Sequence, residues 1–351
     1  MSKRILLGMS GGVDSSAAAL CLLEQGYDVS GVTALLTPEA DESDEAVRDA
    51  RRVCEVLGLQ HFVIDLRQKF ADKVIDNFAG EYKEGRTPNP CIVCNRTIKF
   101  GALLDYALAN GFDAVATGHY AGIVRTEGGE YTVRRSENGK DQSYVLWQLS
   151  QHQLAHALLP LCDMQKSDLR EKVRMADLPV FAKSDSQDIC FVPDGDYAAF
   201  LEKNFGIVGE SGAFVDESGK RIGTHMGIHR YTVGQRKGLG GGFPEPMFVG
   251  QIIPSANEIV LCPQSGRYKS TVFCKGINMM LGRENGKPFE ASVKLRYNAP
   301  AAPAQVICDS ERGTAEIIFK QPQGSPTPGQ SAVFYDENNC VIGGGIIVGA
   351  R

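Results

Sequence analysis

The chain has 351 residues, 43% of them hydrophobic and 23% charged, with a formal net charge of −5. That is the composition of an ordinary globular protein, too long for one core, and two or three domains are expected. No apolar run approaches the ~20 residues of a membrane-spanning helix, and Met1-Ser2-Lys3-Arg4 leads into a strand-like segment too soon for a signal peptide, so the expected location is the cytoplasm.

The first half alternates strand and helix. An apolar run at 5–9 precedes a glycine-rich turn and a helical pattern at 16–25, closed by Gly26. A strand follows at 29–36, a helix at 44–57 stopped by Gly58, and a strand at 61–65. Helical patterns at 70–83 and 100–110 bracket a stretch rich in proline and cysteine, and a short buried strand follows at 114–117. This alternation predicts an α/β domain with a parallel, doubly wound sheet. After about residue 195 glycine and proline become dense, and runs at 212–216 and 247–253 suggest a small, mostly β central domain. From about 268 onward the pattern is almost purely β, with runs at 292–296, 305–308, 315–319, 331–335 and 341–348, which suggests a small barrel. The expected domains are therefore 1–195, 196–267 and 268–351.

Gly8-Met9-Ser10-Gly11-Gly12-Val13-Asp14-Ser15 lies between the first strand and the first helix. Adjacent glycines let backbone N–H groups approach an anion, and the following helix N-terminus adds its dipole. The doubly wound rule places a ligand at this same point, beyond the carboxyl end of a strand. A plain strand-to-helix turn is the bland alternative. The loop lacks the Gly-Lys-Ser/Thr of a Walker A motif and the G-x-G-x-x-G of a dinucleotide fingerprint.

Ten cysteines are scattered along the chain, and their spacing is not that of a small disulfide scaffold. Cys21 and Cys54 fall in predicted helices, and Cys262, Cys274, Cys308 and Cys340 in strand-like runs, where buried inert thiols are expected. Cys91, Cys94 and Cys190 have polar, motif-like surroundings. On its own, Cys91-Ile92-Val93-Cys94 fits half a zinc site, a redox dithiol, part of an iron–sulfur site or a sulfur-transfer centre. Residues 219–240 hold five Lys/Arg, two His and no carboxylate, which reads either as a solvated basic hairpin or as a phosphate-backbone contact.

S-G-G-V-D-S at 10–15 resembles the PP-loop of ATP pyrophosphatases, which cleave ATP between the α and β phosphates and adenylate a substrate. Further motifs are G-R-T-P-N-P-x-x-x-C-N at 85–95, A-T-G-H-Y at 116–120, K-D-Q-S-Y at 140–144 and S-x-x-I-C-F at 186–191. T-V-G-Q-R-K-G-L-G at 232–240, V-K-x-R-Y at 293–297 and T-P-G-Q-S-A-V-F-Y at 327–335 complete the set. Together and in order, these resemble the tRNA-specific 2-thiouridylase family over essentially the whole chain. The resemblance implies ATP- and Mg²⁺-dependent replacement of O2 of the wobble uridine (U34) by sulfur in tRNAs for Lys, Glu and Gln.

The resemblance also implies roles residue by residue. Gly8 to Ser15 hold the ATP phosphates, with Asp14 helping at Mg²⁺, and Ala34 and Gly118 contact the adenosine. Cys94 is the nucleophile and Cys190 carries the persulfide. Asn89, Pro90, Cys91, His119, Lys140, Asp141, Gln142, Arg296, Tyr297 and Gln330 touch the anticodon stem-loop of the tRNA. An upstream sulfur donor is implied, either a cysteine desulfurase or a relay protein.

Two departures from the family pattern stand out. Many members carry Asp where this chain has Cys91. Three cysteines, Cys91, Cys94 and Cys190, match the ligand number of a [4Fe-4S] cluster with one open iron. A plain persulfide route and, with less to support it, a structural zinc are the competing readings. The segment after the second strand reads Ala34-Leu35-Leu36 in place of the usual Met-Lys-x-Trp-like run. Rival functions are a PP-loop sulfurtransferase acting on another tRNA position and a non-catalytic tRNA-binding relative.

Overall fold

The computed structural model describes residues 2–183, 189–192 and 195–351. They form two compact units. The first contains residues up to 75, 91–187 and 338–342; the second contains 76–90, 188–337 and 343–351.

The first unit is built on a five-stranded parallel sheet ordered β3-β2-β1-β4-β7. Its strands are β1 (Arg4–Gly8), β2 (Asp28–Leu35), β3 (His61–Asp65), β4 (Ala114–Ala116) and β7 (Ala157–Leu158). β1 shows why an unbroken apolar run makes a central strand. Ile5 and Leu7 face one core with α1 (Val13–Glu24) and α2 (Glu45–Val56), while Leu6 faces a second core with Leu103, Leu104 and Ala107. A parallel sheet is covered on both faces, so the central positions of this strand, Ile5 to Leu7, are all apolar, and the charged Arg4 stands at its exposed start. Ala17, Ala18 and Ala19 let α1 settle closely on the sheet, and all three are fully buried.

From β1 the chain runs outward through β2 and β3, then returns to the other side of β1 as β4. The sheet order therefore reverses between β1 and β4, and the loops leaving those two strands share the resulting crevice. Gly26 and Gly58 close α1 and α2 with φ of +80° and +67°, the left-handed closure expected of them. The helical patterns expected at 70–83 and 100–110 are less regular than that. A π-helical turn at Ala71–Ile75 interrupts the first and another occupies Asn95–Ala102, ahead of Leu103–Ala109. An antiparallel hairpin of β5 (Ala121–Arg125) and β6 (Tyr131–Arg135) was not expected from the sequence.

The second unit holds two β assemblies. One is a four-stranded sheet ordered β10-β11-β8-β9, from β8 (Gly212–Val215), β9 (Arg221–His225), β10 (Phe248–Ile253) and β11 (Glu258–Cys262). Its core gathers Phe214, Tyr231, Val233, Val249, Ile259 and Leu261. The other is a closed barrel ordered β12-β15-β14-β13-β16-β17. Its strands are β12 (Tyr268–Met279), β13 (Pro288–Lys294), β14 (Ala302–Asp309), β15 (Thr314–Gly324), β16 (Ser331–Tyr335) and β17 (Val341–Ala350). Alternate residues of β14, Ala304, Val306 and Cys308, point inward. The expected architecture, a doubly wound sheet followed by a small β domain and a barrel, is the one observed.

Candidate active site

The turn from β1 into α1 is shaped by glycine. Gly11 has φ +67°, and a Cβ there would lie 2.4 Å from the carbonyl oxygen of Ala46, so both conformation and space exclude a side chain. Gly12 is the N-cap of α1 and has no side chain to satisfy the helix amides. The first-turn N–H groups are thus left to an external acceptor, and the helix dipole favours an anion. Serines fix the loop from within. Ser15 Oγ donates to Gly12 O at 3.1 Å and accepts from Ser10 N at 3.3 Å, while Ser16 Oγ donates to Gly12 O at 2.9 Å. Met9 is pinned by its amide on Val32 O and by its carbonyl, which accepts from Thr33 Oγ1 at 2.9 Å.

Asp14 sits in the first turn of α1. Its Oδ1 accepts from Tyr120 Oη at 2.6 Å and from Lys166 Nζ at 2.5 Å. Lys166 opens the helix Lys166–Met175. Neither residue was singled out as a site residue from the sequence. Tyr120 lay inside the A-T-G-H-Y motif and was visible there, whereas Lys166 resembles any lysine at a helix start. Gly118 follows β4, and a Cβ on it would lie 2.8 Å from Asp14 C and 3.0 Å from Ser15 N. The second loop of the crevice thus lies directly on the first. Ala34, half-buried, is in β2 in register with Ile64 of β3.

Cys94 ends the helical turn Pro90–Cys94 and enters the π-helical stretch, a widened geometry that recurs at functional sites. Its side chain is buried, while that of Cys91, one turn earlier, is exposed. Asn95, next to Cys94, is also buried and donates to Val145 O at 3.0 Å. His119 is buried too, with Nδ1 2.7 Å from Thr117 Oγ1. Burial, and secondarily Lys99, holds its pKa well below the ordinary value, so the ring is neutral.

The 140–142 tripeptide is held in one loop by side chain to main chain bonds. Asp141 accepts from Ser136 N, Ser143 N and Ser143 Oγ and pairs with Arg135 Nε at 3.2 Å, so its carboxylate braces the loop. Gln142 Oε1 accepts from Tyr120 N at 2.9 Å, and the Lys140 side chain is exposed.

The second unit contains the remaining candidates. Cys190 is exposed on a tight turn closed by Val192 N on Ile189 O. The next residue, Phe191, is buried edge-on against Phe78 and also contacts Phe200, which anchors the turn. Ser186, part of the same motif, lies outside the described residues. Gln330 Nε2 donates to Thr87 O at 2.8 Å and Pro88 O at 3.3 Å, and Thr87 N donates to Pro328 O. Thr87 and Pro88, the two residues before Asn89 and Pro90, are therefore laid along the barrel loop at 327–330. Gly329, with φ +91°, allows the approach, since a Cβ there would lie 2.8 Å from Thr87 N.

Arg296 Nη2 donates to Val233 O and Ser325 O and contacts Thr327 Oγ1, while Lys294 Nζ stands 5.6 Å from the centre of the Tyr297 ring. In the basic stretch at 219–240, Lys220, Arg221, Arg230, Arg236 and Lys237 are exposed. His225 and His229 are buried, so the surface charge comes from lysine and arginine.

The remaining cysteines are buried, as expected of inert thiols. Burial raises Cys54 and Cys308 to about 11 and also lifts Cys21, Cys262 and Cys274. Among the described residues, no three His, Cys, Asp or Glu side chains form a group able to hold a metal ion.

Three domain families match the chain in succession: a tRNA methyl transferase HUP domain over residues 3–194, a tRNA methyl transferase PRC-barrel domain over 198–263, and an aminomethyltransferase beta-barrel domain over 269–347. The full-length relatives are decisive. A tRNA-specific 2-thiouridylase from Clostridium acetobutylicum is 44% identical over 358 residues, covering 99% of this chain and 100% of its own length. The chain belongs to the tRNA-specific 2-thiouridylase family. Other 2-thiouridylases, from Clostridioides difficile and Syntrophotalea carbinolica, are 44% and 43% identical, each over 99% of this chain. Among the described residues, no helix is long and apolar enough to cross a membrane.

Proposed function

We propose that the chain performs ATP-dependent 2-thiolation of the wobble uridine, U34, in tRNAs for Lys, Glu and Gln. The observation that carries this reading is one unit holding both a side-chain-free helix N-terminus with a braced first-turn carboxylate and a buried cysteine on a π-helical entry, in a chain that is 44% identical to a 2-thiouridylase.

The main-chain amides of residues 10–15 bind the ATP phosphates, and Ala34 and Gly118 face the adenosine. Asp14 suits Mg²⁺: its carboxylate is partly exposed in the first turn, and both of its hydrogen bonds fall on Oδ1. Mg²⁺ supplies charge neutralisation on the phosphates. The uracil C2 oxygen attacks the α phosphate and pyrophosphate leaves. Adenylation converts a poor oxygen leaving group into AMP. Cys190 presents the terminal persulfide sulfur, which attacks C2. Cys94 attacks the Cys190 sulfur, forming a disulfide between the two and releasing the transferred sulfur to the base. AMP then departs, and an external reductant restores the two thiols. The neutral ring of His119 keeps an added positive charge away from the base.

Asn89, Pro90, Cys91, Lys140, Gln142, Tyr297 and Gln330 contact the anticodon stem-loop. Arg296 and Asp141 shape the segments that make those contacts. The exposed basic residues of 219–240 hold phosphates, which position the RNA without reading its sequence. On this reading 1–195 is the catalytic domain, 196–267 a tRNA-contacting domain and 268–351 an accessory barrel, in a cytoplasmic enzyme served by a cysteine desulfurase or a relay protein.

The exposed thiol of Cys91, one helical turn from Cys94, favours a second reading: Cys91, Cys94 and Cys190 ligate a [4Fe-4S] cluster. The deciding experiment is metal and acid-labile sulfide analysis of anaerobically purified protein, together with nucleoside mass spectrometry of tRNA incubated with ATP and a sulfur source. Metal-free protein that forms 2-thiouridine at position 34 upholds the persulfide route. About four irons per chain, lost in Cys91→Ala, would replace it with the cluster. No pyrophosphate release with tRNA present would refute the enzyme reading altogether.

A further inference from the structure

Tyr120 is bonded at both ends. Its phenol donates to Asp14 Oδ1 at 2.6 Å. Its main chain pairs reciprocally with Gln142: Tyr120 N donates to Gln142 Oε1 at 2.9 Å, and Gln142 N donates to Tyr120 O at 2.8 Å. The side chain is 3% exposed, so the ring is confined by packing and the phenol by its bond. Lys166 meets the same Asp14 oxygen from the other side, with its ammonium 5.8 Å from the centre of the Tyr120 ring.

The two donors converge on Oδ1, and among the described residues none donates to Oδ2. A carboxylate gripped through one oxygen has its second oxygen aimed, because rotation about its side-chain bonds would break both contacts. Pre-aiming of this kind lowers the ordering cost of binding a cation. The loop that holds Tyr120 from behind is the 140–142 segment, whose shape depends on the Asp141 brace.

We propose that Tyr120 is a positioning residue linking the cation-ligating carboxylate of Asp14 to the 140–142 loop, so that RNA seated on that loop tightens the ATP–cation site. The linkage rests on the reading above of Asp14 as a cation ligand and 140–142 as an RNA contact. It goes further by giving the two sites a shared mechanical element. Binding of RNA and of cation-bound nucleotide then help each other by the same factor, as thermodynamic linkage requires.

The test uses Mn²⁺ as a spin probe on the full-length chain with a non-hydrolysable ATP analogue, with and without saturating anticodon stem-loop RNA. For the unaltered chain, RNA lowers the Mn²⁺ dissociation constant roughly five-fold or more, the lower end of typical coupling. Tyr120→Phe raises that constant about ten-fold, the loss of a hydrogen bond to a charged group, and removes the RNA effect. RNA affinity measured without nucleotide and cation stays unchanged in this variant, since the bonds between Gln142 and the Tyr120 main chain survive, whereas the gain in RNA affinity that nucleotide and Mn²⁺ bring to the unaltered chain is lost. Gln142→Ala cuts the other end: at saturating RNA the RNA effect is lost, and Gln142→Glu, which keeps the acceptor for Tyr120 N, restores it.

Unchanged Mn²⁺ affinity and RNA response in Tyr120→Phe would overturn the proposal, and so would lowered thermal stability with normal Mn²⁺ binding. An unaltered chain showing no RNA effect on Mn²⁺ would also overturn it. If that same chain still released pyrophosphate with tRNA, the proposed function would stand. Absence of tRNA-dependent pyrophosphate release would instead mark failure of the function itself.

Discussion

A Cβ on Gly118 would lie 2.8 Å from the carbonyl carbon of Asp14, although 104 positions separate the two residues in sequence (118 − 14). The loops leaving β1 and β4 are therefore in contact backbone to backbone, and neither can move without the other. Gly118→Ala must push the phosphate loop aside. Pyrophosphate release with tRNA should fall ~100-fold, the loss expected for a roughly 1 Å misplacement. Circular dichroism and the melting temperature should change little. A variant with normal turnover would show that the loop tolerates displacement.

The cysteines separate adenylation from sulfur transfer. Cys94→Ser and Cys190→Ser should each abolish 2-thiouridine formation, read by mass spectrometry, while pyrophosphate release persists at a reduced rate. Cys91→Ser should retain most thiolation on the persulfide route. Loss of thiolation in all three variants, with loss of iron, would mark the cluster route.

Arg296 Nη2 reaches main-chain and hydroxyl oxygens of residues 233, 325 and 327. Arg296→Met leaves those acceptors partly unsatisfied and should cost about 2–3 kcal/mol in urea denaturation. RNA affinity should fall as a consequence of local loosening. An RNA defect without any loss of stability would assign the guanidinium a direct RNA contact.

Burial pushes the pKa of His119 well below 6.5, and burial is also the main cause lowering His61 and His225. A histidine depressed in the folded state stays neutral there, while the unfolded chain takes up a proton below about pH 6.5. Stability is therefore complete above that pH and declines as pH falls, by up to ~1.4 kcal/mol per pH unit for each such histidine. The urea midpoint should drop between pH 6.5 and 5, and His119→Asn should show a shallower slope. Equal slopes would mean that His119 protonates in the native state.

The strand and helix order of the first unit was legible because it is written in unbroken apolar runs and glycine stops, as in Ile5-Leu6-Leu7 and Gly26. The π-helical turns were not, since a change from four- to five-residue spacing leaves hydrophobic periodicity almost intact. The hairpin at 121–135 also escaped notice, because its strands alternate weakly around a Glu-Gly-Gly-Glu turn. At the site, Gly11 announced itself through its neighbours, whereas Lys166 could not. Its partner is 152 residues away, and nothing in local sequence encodes that distance. Asp141 illustrates the converse. The family resemblance implied an RNA contact for it, while the bonds its carboxylate makes to Arg135, Ser136 and Ser143 could not be read from the motif.

Of the ten cysteines, eight are buried, and burial raises the pKa of Cys21, Cys54, Cys262, Cys274 and Cys308; the side chains exposed to solvent are Cys91 and Cys190. Oxidants and alkylating agents act on exposed thiolates far faster than on buried thiols. Chemical damage is thus ranked by the fold. An electrophile reaches Cys190, proposed to carry the persulfide, long before Cys94 or the core, and the molecule is silenced while still folded. Where the modification is a sulfenic acid or a mixed disulfide, that silence is reversible by reduction.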